Sequence, residues 1–187
     1  AVIMAAKPWQ KDFMHVLLKT GARRGEVIQL TWEDVNLQNG TITLYTRKRK
    51  GGERQPRILN MSAQLQALME RLWTNRDKES PYVFVNPRTG DRYKPNHNSI
   101  RYFMERLCEQ AEVKPFGFHA FRHFVSLKLR DSRKAETWEI QRLLGHQRQT
   151  TTELYLRSIA PDLGSVVSIL DDEDEAGNEA QKTKAHK

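Results

Sequence analysis

The sequence predicts a mainly α-helical fold with one small antiparallel β-sheet, and two observations lead to this prediction. Most apolar residues recur at intervals of three and four, which is the period of an amphipathic helix. Residues 41–45 instead alternate in polarity, and they are followed by a polar turn that contains glycine and by the β-prone stretch 57–59. This second pattern predicts a β-hairpin whose tip, residues 47–54, is basic.

The helical periodicity predicts a series of helices on either side of this hairpin. The first ends at Gly21, the second is short and surrounds Glu26, and the third is capped by Ser62. Further helices are predicted over residues 96–112, 119–130, 136–144 and 150–157, and a short apolar segment follows Pro161. Residues 81–85 form at most a short strand. The chain is long enough for one ordinary domain.

Charge and composition narrow the classes of partner. The net charge is +8 and the sequence pI about 9.7, which favours a polyanion, with nucleic acid first and an acidic membrane surface second. Residues 171–187 hold six acidic and three basic residues, so the part of the chain before them is more basic than the whole. No apolar run approaches the roughly 20 residues that span a bilayer. The single cysteine, Cys108, excludes an intrachain disulfide and suits a reducing compartment, and we expect the cytoplasm, close to the nucleoid.

Several common reaction classes lack their sequence signatures here. There is no Gly-x-x-x-x-Gly-Lys-Ser/Thr loop for nucleotide hydrolysis, no Gly-x-Gly-x-x-Gly turn for a dinucleotide, and no cysteine pair for structural zinc. The acidic residues form no evident trio for a two-metal nuclease. We therefore expect no metal and no cofactor, so that Arg, Lys and His alone act on phosphate or merely bind it.

Four short stretches carry the functional signal together. They are Thr20-Gly21-Ala22-Arg23-Arg24-Gly25-Glu26, the basic hairpin tip Arg47-Lys48-Arg49-Lys50, His119-Ala120-Phe121-Arg122, and Leu143-Leu144-Gly145-His146 followed nine residues later by Tyr155. Each stretch alone is a weak signal, because an isolated Arg or Tyr is more often a solvated or packing residue. Their occurrence in one order on a basic chain is what points to function.

This set resembles the tyrosine recombinases, the family of phage integrases and bacterial chromosome-resolution recombinases. The family pattern is Thr-Gly-x-Arg-x-x-Glu, a hairpin lysine, His-x-x-Arg, Leu-Gly-His, and a tyrosine in a Thr-Thr-x-x-Tyr context. The last element stands here as Thr151-Thr152-Glu153-Leu154-Tyr155. The resemblance covers roughly residues 10–160 and implies the catalytic-domain fold of that family, with DNA cleavage and rejoining in the recombination or integration of a phage or other mobile element.

Phosphodiester chemistry suits these residue types. Arg23 and Arg122 can meet the negative charge on the two nonbridging oxygens of the transition state, a role that metal ions often fill. His146 can donate a further hydrogen bond. His119 lies three residues before Arg122, on the same face of a helix, and can point at the same phosphate or help deprotonate Tyr155.

The resemblance assigns the remaining roles. Tyr155 is the nucleophile, and its 3′-phosphotyrosine product stores the ester energy, so that rejoining needs no ATP. Lys48 protonates the leaving 5′-oxygen, although Lys50 stands two residues away and remains an alternative. Glu26 supports Arg23 or His119 without doing chemistry itself. The other basic residues of the two stretches are expected to contact DNA: Arg24, Arg47, Arg49 and Lys50.

The same resemblance predicts the domain organisation and the partners. We expect a catalytic domain over residues 1–160, a segment at 161–170 that either is exchanged between protomers or folds back on its own domain, and a disordered acidic and polar tail at 171–187. An N-terminal domain that clamps the far face of the duplex is expected to be missing from this chain. The partner is double-stranded DNA, with a monomer in its absence and a homotetramer on paired sites.

Three other functions compete with this prediction. Type IB topoisomerases use the same chemistry to relax supercoils, but the Leu-Gly-His spacing and the compact size favour the recombinase. An inactive DNA-binding relative would not need the complete set of catalytic residue types. A basic membrane-surface protein would need a long basic amphipathic helix, which the sequence lacks.

Overall fold

A computed structural model describes residues 1–47, 54–86, 89–93, 100, 102–133 and 135–145, and of Arg47 it describes the backbone alone. The helices are α1 (Val2–Ala5), α2 (Pro8–Thr20), α3 (Arg24–Ile28), α4 (Ala63–Thr74), α5 (Phe103–Gln110), α6 (His119–Asp131) and α7 (Thr137–Leu144). The strands are β1 (Val35–Asn36), β2 (Thr41–Arg47) and β3 (Arg54–Asn60), and a 3₁₀ turn spans Trp32–Asp34. These elements confirm the predicted mainly α fold with one small antiparallel sheet.

Helix α2 supplies much of the hydrophobic core. Pro8 occupies its first position, where the fixed φ of proline favours a helix start. Phe13, Met14, Val16 and Leu17 are fully buried, and the helix contacts α1, α3, α4 and α6. Truncating one of these core side chains to alanine would cost about 2–5 kcal/mol of stability. The predicted end of this helix at Gly21 is confirmed.

The sheet has the order β1-β2-β3, and both pairs of strands are antiparallel. In the register of β2 and β3, Ile42 pairs with Leu59 and Leu44 pairs with Arg57. Ile42 and Leu44 are buried, and paired residues share a face of the sheet. Arg57 therefore stands on the core-facing side of β3, where a charged side chain needs polar partners.

Helices α4, α6 and α7 follow the sheet in the sequence, and α7 leads to the last residue that the structure describes. The Ser62 hydroxyl accepts a hydrogen bond from the backbone N–H of Leu65 at 3.3 Å, which confirms the predicted cap of α4. Helix α6 contacts both α2 and α7. Helix α7 ends at Gly145, whose φ is 64°. Thus α2 and α7 both approach α6 and both end in a left-handed glycine.

The structure differs from the predictions in four places. Residues 81–85 do not form a strand but contribute two isolated bridges, from Tyr82 to Thr31 and from Val85 to Arg92. Among the described residues, the helix predicted at 96–112 is interrupted at Tyr102, and its last part, α5, begins at Phe103 and ends at Gln110, two residues before Glu112 adopts a left-handed φ of 52°. Helix α1 and strand β1 were not predicted, since four and two residues are too few to show a period.

Several predictions lie outside the described residues. They concern the hairpin tip from residue 48 to 53, the helix at 150–157, the segment at 161–170 and the tail at 171–187. Among the described helices, none is both long enough and apolar enough to cross a lipid bilayer.

Candidate active site

The turn between α2 and α3 positions Arg23. Gly21 ends α2 with a φ of 61°, a conformation that residues with a side chain seldom adopt. A Cβ atom on Gly21 would lie 2.7 Å from Cδ2 of Leu144, which is closer than two non-bonded carbon atoms approach each other. Arg23 follows in the extended position that precedes α3, with its side chain 43% exposed. Glycine at position 21 therefore permits the close connection that presents Arg23 at the surface.

Glu26, in α3, accepts hydrogen bonds from three other residues. Arg23 donates from its backbone N–H to Oε2 at 2.9 Å and from Nη1 to Oε1 at 3.1 Å. Thr46 donates its hydroxyl to Oε1 at 2.7 Å, and Arg57 donates from Nη1 and Nη2 at 3.0 and 2.7 Å. We call these four residues the Glu26 network. Of the two partners that the sequence suggested for Glu26, the structure shows Arg23.

The network keeps Glu26 ionised. Burial raises the pKa of this carboxyl, but hydrogen bonds and positive charge from Arg57 oppose that effect, helped by hydrogen bonds from Thr46 and from the backbone of Arg23. The balance lowers the pKa of Glu26 from 4.5 to about 2. The carboxylate is thus negative at every pH near neutrality and holds one side of the Arg23 guanidinium.

Arg122 lies in the first half of α6 and is almost completely buried, with 3% of its surface exposed. Its Nη1 donates to the carbonyl oxygen of Gly21 at 2.8 Å, and its Nη2 donates to the carbonyl oxygen of Leu144. These two bonds join the ends of α2 and α7 to α6.

His119 is the first residue of α6, one helical turn before Arg122. Partial burial lowers the pKa of its imidazole, and the positive charges of Arg122, Arg23 and His123 lower that pKa further. The neutral form, which can accept a proton, is therefore favoured near neutral pH. His119 and Arg122 stand one turn apart on α6, and Arg122 is bonded to the carbonyl of Gly21, two residues before Arg23, so the three residues lie in one region.

Arg57 is the residue of this site that the sequence did not single out. Its side chain is 11% exposed, and besides its bonds to Glu26 it donates from Nη1 to the hydroxyl of Thr46 at 2.8 Å. Its Nε donates to the carbonyl oxygen of Leu143 at 3.1 Å. The available signal was the register of the hairpin, which places position 57 opposite Leu44 on the core-facing side of the sheet.

Two guanidinium groups thus hold the C-terminal end of α7. Arg57 binds the carbonyl of Leu143 and Arg122 binds the carbonyl of Leu144. Cations are favoured at this end of a helix, where the last carbonyls have no partner within the helix. The next residue is Gly145, and His146 follows it directly in the sequence.

Arg24, which the sequence predicts to contact DNA, lies beside Arg23 at the start of α3 and is half-buried. Its guanidinium carbon is 5.6 Å from the centre of the Phe118 ring, at the distance of a cation–π contact. Phe118 immediately precedes α6, so this contact joins the start of α3 to the start of α6.

The structure brings four of the predicted site residues together: Arg23, Glu26, His119 and Arg122. The other predicted catalytic residues, Lys48, His146 and Tyr155, lie outside the described residues, as do Arg49 and Lys50. The described part of the site can bind an anion between guanidinium groups and can accept a proton on His119.

Comparison with known proteins gives a consistent family. The model of the phage integrase family matches residues 2–160. Among curated relatives, the tyrosine recombinase XerA of Pyrococcus furiosus is 30% identical over 159 residues, which cover 84% of this chain and 54% of that protein. The chain thus spans about half the length of that relative.

Solved structures share the fold. A crystal structure of XerA recombinase superposes with a TM-score of 0.69 at 24% identity, covering 92% of this chain and 61% of that one. The Tn1549 transposon integrase, solved in complex with transposon right end DNA, gives a TM-score of 0.68 at 21% identity, covering 91% of this chain and 61% of that one. Both comparisons confirm the predicted tyrosine recombinase catalytic-domain fold.

Proposed function

The chain belongs to the phage integrase family, and we propose that it is the catalytic part of a site-specific DNA recombinase. In this proposal the chain cuts one strand of a duplex with Tyr155, holds the broken end covalently, and rejoins it to a new partner strand. Arg23, His119 and Arg122 act on the phosphate, together with His146 and a lysine of the hairpin.

The observation that supports this proposal best is the meeting of Arg23, His119 and Arg122 from two segments far apart in the sequence. The 2.8 Å bond from Arg122 to the carbonyl of Gly21 joins those segments two residues before Arg23. Guanidinium groups fixed in this way can bind both nonbridging oxygens of a phosphodiester and stabilise the charge that grows there. Because the groups are held before DNA binds, little free energy is spent on orienting them during the reaction.

The proposed step conserves atoms and protons. The Oη atom of Tyr155 attacks phosphorus, the bond from phosphorus to the 5′ oxygen breaks, and a 3′-phosphotyrosine ester and a free 5′-hydroxyl form. The phenol, whose ordinary pKa is about 10, gives its proton to the neutral imidazole of His119. Lys48, or Lys50 in its place, protonates the departing 5′ oxygen. Rejoining is the reverse of this step with a different 5′-hydroxyl.

DNA binding is proposed to involve the basic residues around this site. Arg24 lies beside Arg23 at the same end of α3, Arg47 is the last residue of β2, and Arg49 and Lys50 follow it in the sequence. Contacts of this kind read no base sequence but fix the position of the duplex, and they weaken as salt rises. We therefore expect the DNA affinity of the chain to depend steeply on ionic strength.

We also propose an assembly of four protomers on two duplexes, formed on DNA from monomers. The apolar residues of the segment 161–170 recur at i, i+3, i+4 and i+7, and are Leu163, Val166, Val167 and Leu170. The eight residues from Leu163 to Leu170 are too few for a stable isolated helix, so their apolar face needs a surface to pack on. We propose that a neighbouring protomer provides it, while the acidic tail stays away from phosphate. Because the proposed substrate is DNA, we propose that the protein acts at the nucleoid.

The test is covalent capture of DNA by the full-length protein that carries this chain. The substrate is a set of nicked duplexes randomised on both sides of the nick, incubated in EDTA, with covalent adducts separated by denaturing electrophoresis and sequenced. We expect an adduct with one enriched sequence, and none from Tyr155→Phe, which should still bind DNA. No adduct from the unaltered protein, or an adduct from Tyr155→Phe, would refute the mechanism.

The same experiment separates the competing functions. A type IB topoisomerase would also form the adduct, but it would capture sequences with little enrichment and would relax a plasmid that lacks the enriched site. An inactive DNA-binding relative would bind the duplexes and form no adduct. Loss of the adduct in EDTA and its return with magnesium would contradict a mechanism that uses arginine, histidine and lysine alone.

A further inference from the structure

We propose that Arg57 is a positioning residue for strand cleavage, which fixes Gly145 and thereby the histidine that follows it. This inference rests on the proposed function, since it concerns the placement of a group that acts on the scissile phosphate. Arg57 itself stands on the core-facing side of β3 and is not proposed to touch DNA.

All three nitrogen atoms of the Arg57 side chain are engaged. Nη1 donates to Oε1 of Glu26 at 3.0 Å and to the hydroxyl of Thr46 at 2.8 Å, and Nη2 donates to Oε2 of Glu26 at 2.7 Å. Nε donates to the carbonyl oxygen of Leu143 at 3.1 Å. One planar group therefore connects α3, β2 and the last turn of α7.

A guanidinium is the side-chain group that can make this set of bonds. Its two Nη atoms match the two oxygens of a carboxylate, while Nε points along the other edge of the plane and reaches a separate acceptor. Lysine carries the same charge on a single nitrogen atom and could serve Glu26 or the carbonyl of Leu143, but not both with this geometry. Substitution by lysine thus keeps the charge and removes the connection.

Gly145 packs directly against Arg57. A Cβ atom at Gly145 would lie 3.1 Å from Nη1 and 3.3 Å from Cδ of Arg57, and 3.3 Å from the Thr46 hydroxyl oxygen. Its φ of 64° is left-handed, so the chain turns sharply at this point. The guanidinium of Arg57 therefore contacts Gly145 from one side and binds the carbonyl of Leu143, two residues earlier. A shift of Arg57 would move Gly145, and with it the point from which the chain continues to His146.

A comparison of Arg57 with Arg122 shows which effect the loss of Arg57 isolates. It holds the carbonyl of Leu144, as Arg57 holds that of Leu143, but it also belongs to the group of residues proposed to bind phosphate. Loss of Arg122 would combine a positioning defect with the loss of a phosphate contact. Loss of Arg57 isolates the positioning part, because its side chain is only 11% exposed and its three nitrogen atoms are bonded to Glu26, Thr46 and Leu143.

A second route for an Arg57 effect runs through the hairpin. Thr46 accepts a bond from Arg57 and stands two residues before Lys48, so a change at Arg57 could disturb the proton donor for the 5′ oxygen. The two routes differ in their chemistry. A 5′-bridging phosphorothiolate has a leaving group that needs no proton, and it would correct a defect in the hairpin lysine but not a defect at the nonbridging oxygens.

The test compares Arg57→Lys with Arg71→Lys in the full-length protein. Arg71 is a matched control, because it also binds a carboxylate through two nitrogen atoms, with bonds of 3.3 and 2.6 Å to Asp12, but lies in α4. The measurement is the single-turnover rate constant and the final yield of adduct on the core sequence that covalent capture enriches. The rate constant and the yield are both measured on the ordinary phosphodiester and on the 5′-phosphorothiolate. The DNA affinity of each variant is measured separately.

We expect Arg57→Lys to lower the cleavage rate constant by on the order of 10²-fold, the loss that a misplacement of about 1 Å can cause. The defect should persist on the phosphorothiolate, DNA affinity should change by no more than about twofold, and Arg71→Lys should cleave at the normal rate. A normal rate constant with a lower yield would show a merely structural role and overturn the proposal. Correction by the phosphorothiolate would overturn it in favour of the hairpin route.

A second variant keeps the test decisive if Arg57→Lys does not fold. The pair Glu26→Gln with Arg57→Met removes both charges, so that no carboxylate is left buried without its cation, and its reference is Glu26→Gln alone. The double variant should cleave at least about tenfold more slowly than its reference on both substrates, and equal rates would overturn the proposal. Absence of an adduct from the unaltered protein would instead refute the proposed function.

Discussion

Nη1 of Arg122 lies 2.8 Å from the carbonyl oxygen of Gly21, although the two residues are 101 positions apart. The bond exists because α2 ends abruptly at Gly21, whose missing side chain lets Leu144 approach. Through it the position of Arg23, two residues further on, depends on α6. The arrangement of the proposed active site is therefore sensitive to small changes at the end of α2.

Gly21→Ala should destabilise the fold. The left-handed φ of 61° costs a residue with a Cβ about 1–2 kcal/mol, and the contact at 2.7 Å with Leu144 adds to that cost. The control is Gly25→Ala, because Gly25 lies within α3 and a Cβ there meets only the Nε2 atom of Gln29, at 4.0 Å. Urea denaturation should show a loss for the first variant and a gain of about 0.5–1 kcal/mol for the second. Equal effects would show that Gly21 is not required at this turn.

Glu26→Gln should reduce the acid sensitivity of the fold. The folded pKa of Glu26 is about 2 against an ordinary 4.5, so its ionisation stabilises the protein above pH 4.5, and that contribution is lost as pH falls towards 2. The contribution is on the order of 3 kcal/mol. Denaturation between pH 5 and pH 2 should therefore show a shallower loss of stability for Glu26→Gln than for the unaltered protein. A parallel pair of curves would contradict the assigned shift.

His119 should control the acid side of the cleavage rate. Burial and the charges of Arg122 and Arg23 lower the pKa of His119, so its neutral form persists below pH 6.5. The midpoint of the acid-side decline in single-turnover cleavage, measured at low DNA concentration, should therefore lie below pH 6.5. His119→Gln should remove this decline and slow cleavage by about 10²–10⁴-fold, as loss of a general base does, whereas His15→Gln should leave the profile unchanged. A decline whose midpoint lies above pH 6.5 would exclude His119 as its source.

The two lysines of the hairpin can be separated by their leaving-group chemistry. Lys48→Ala should slow cleavage of an ordinary phosphodiester, and a 5′-bridging phosphorothiolate should restore the rate because sulfur leaves without a proton. Lys50→Ala should be affected much less on both substrates. If Lys50→Ala shows the defect and its correction, the proton donor is Lys50, and equal defects on both substrates for both variants would exclude both lysines.

The segment after Pro161 should be needed for assembly more than for binding. Truncation of the full-length protein after Ala160 removes the apolar residues from Leu163 to Leu170 and should impair synapsis and strand exchange while leaving DNA affinity within a fewfold range. Truncation after Leu170, which keeps these apolar residues and removes the acidic stretch that begins at Asp171, is the control and should recombine normally. Normal recombination by the shorter protein would refute a role for this segment.

The sequence predicted the parts of the fold that depend on local patterns. The end of α2 at Gly21, the Ser62 cap and the pairing of β2 with β3 follow from neighbouring residues and were confirmed. Helix α1 and strand β1 are stabilised by contacts with α5 and β2, which a local pattern does not reveal. The end of α5 depends on the backbone conformation of Glu112, which no periodicity records.

The proposed site shows the same division. Arg23, His119 and Arg122 were identified because they stand in recognisable motifs, and the structure brings them together. Arg57 belongs to no such motif, and its importance follows from the strand register and from a carboxylate in α3 and a carbonyl in α7. Sequence spacing cannot show that three distant segments contact one side chain.

The Glu26 network also sets a condition for protein engineering. A hairpin taken from a related recombinase and grafted between positions 41 and 60 would replace Thr46 and Arg57 but leave Glu26 in place. If the donor lacked an arginine at the position of Arg57, the graft would leave the buried carboxylate of Glu26 without its counterion. With such a donor, an exchange of specificity should therefore succeed when α3 and the hairpin are grafted together and fail when the hairpin is grafted alone.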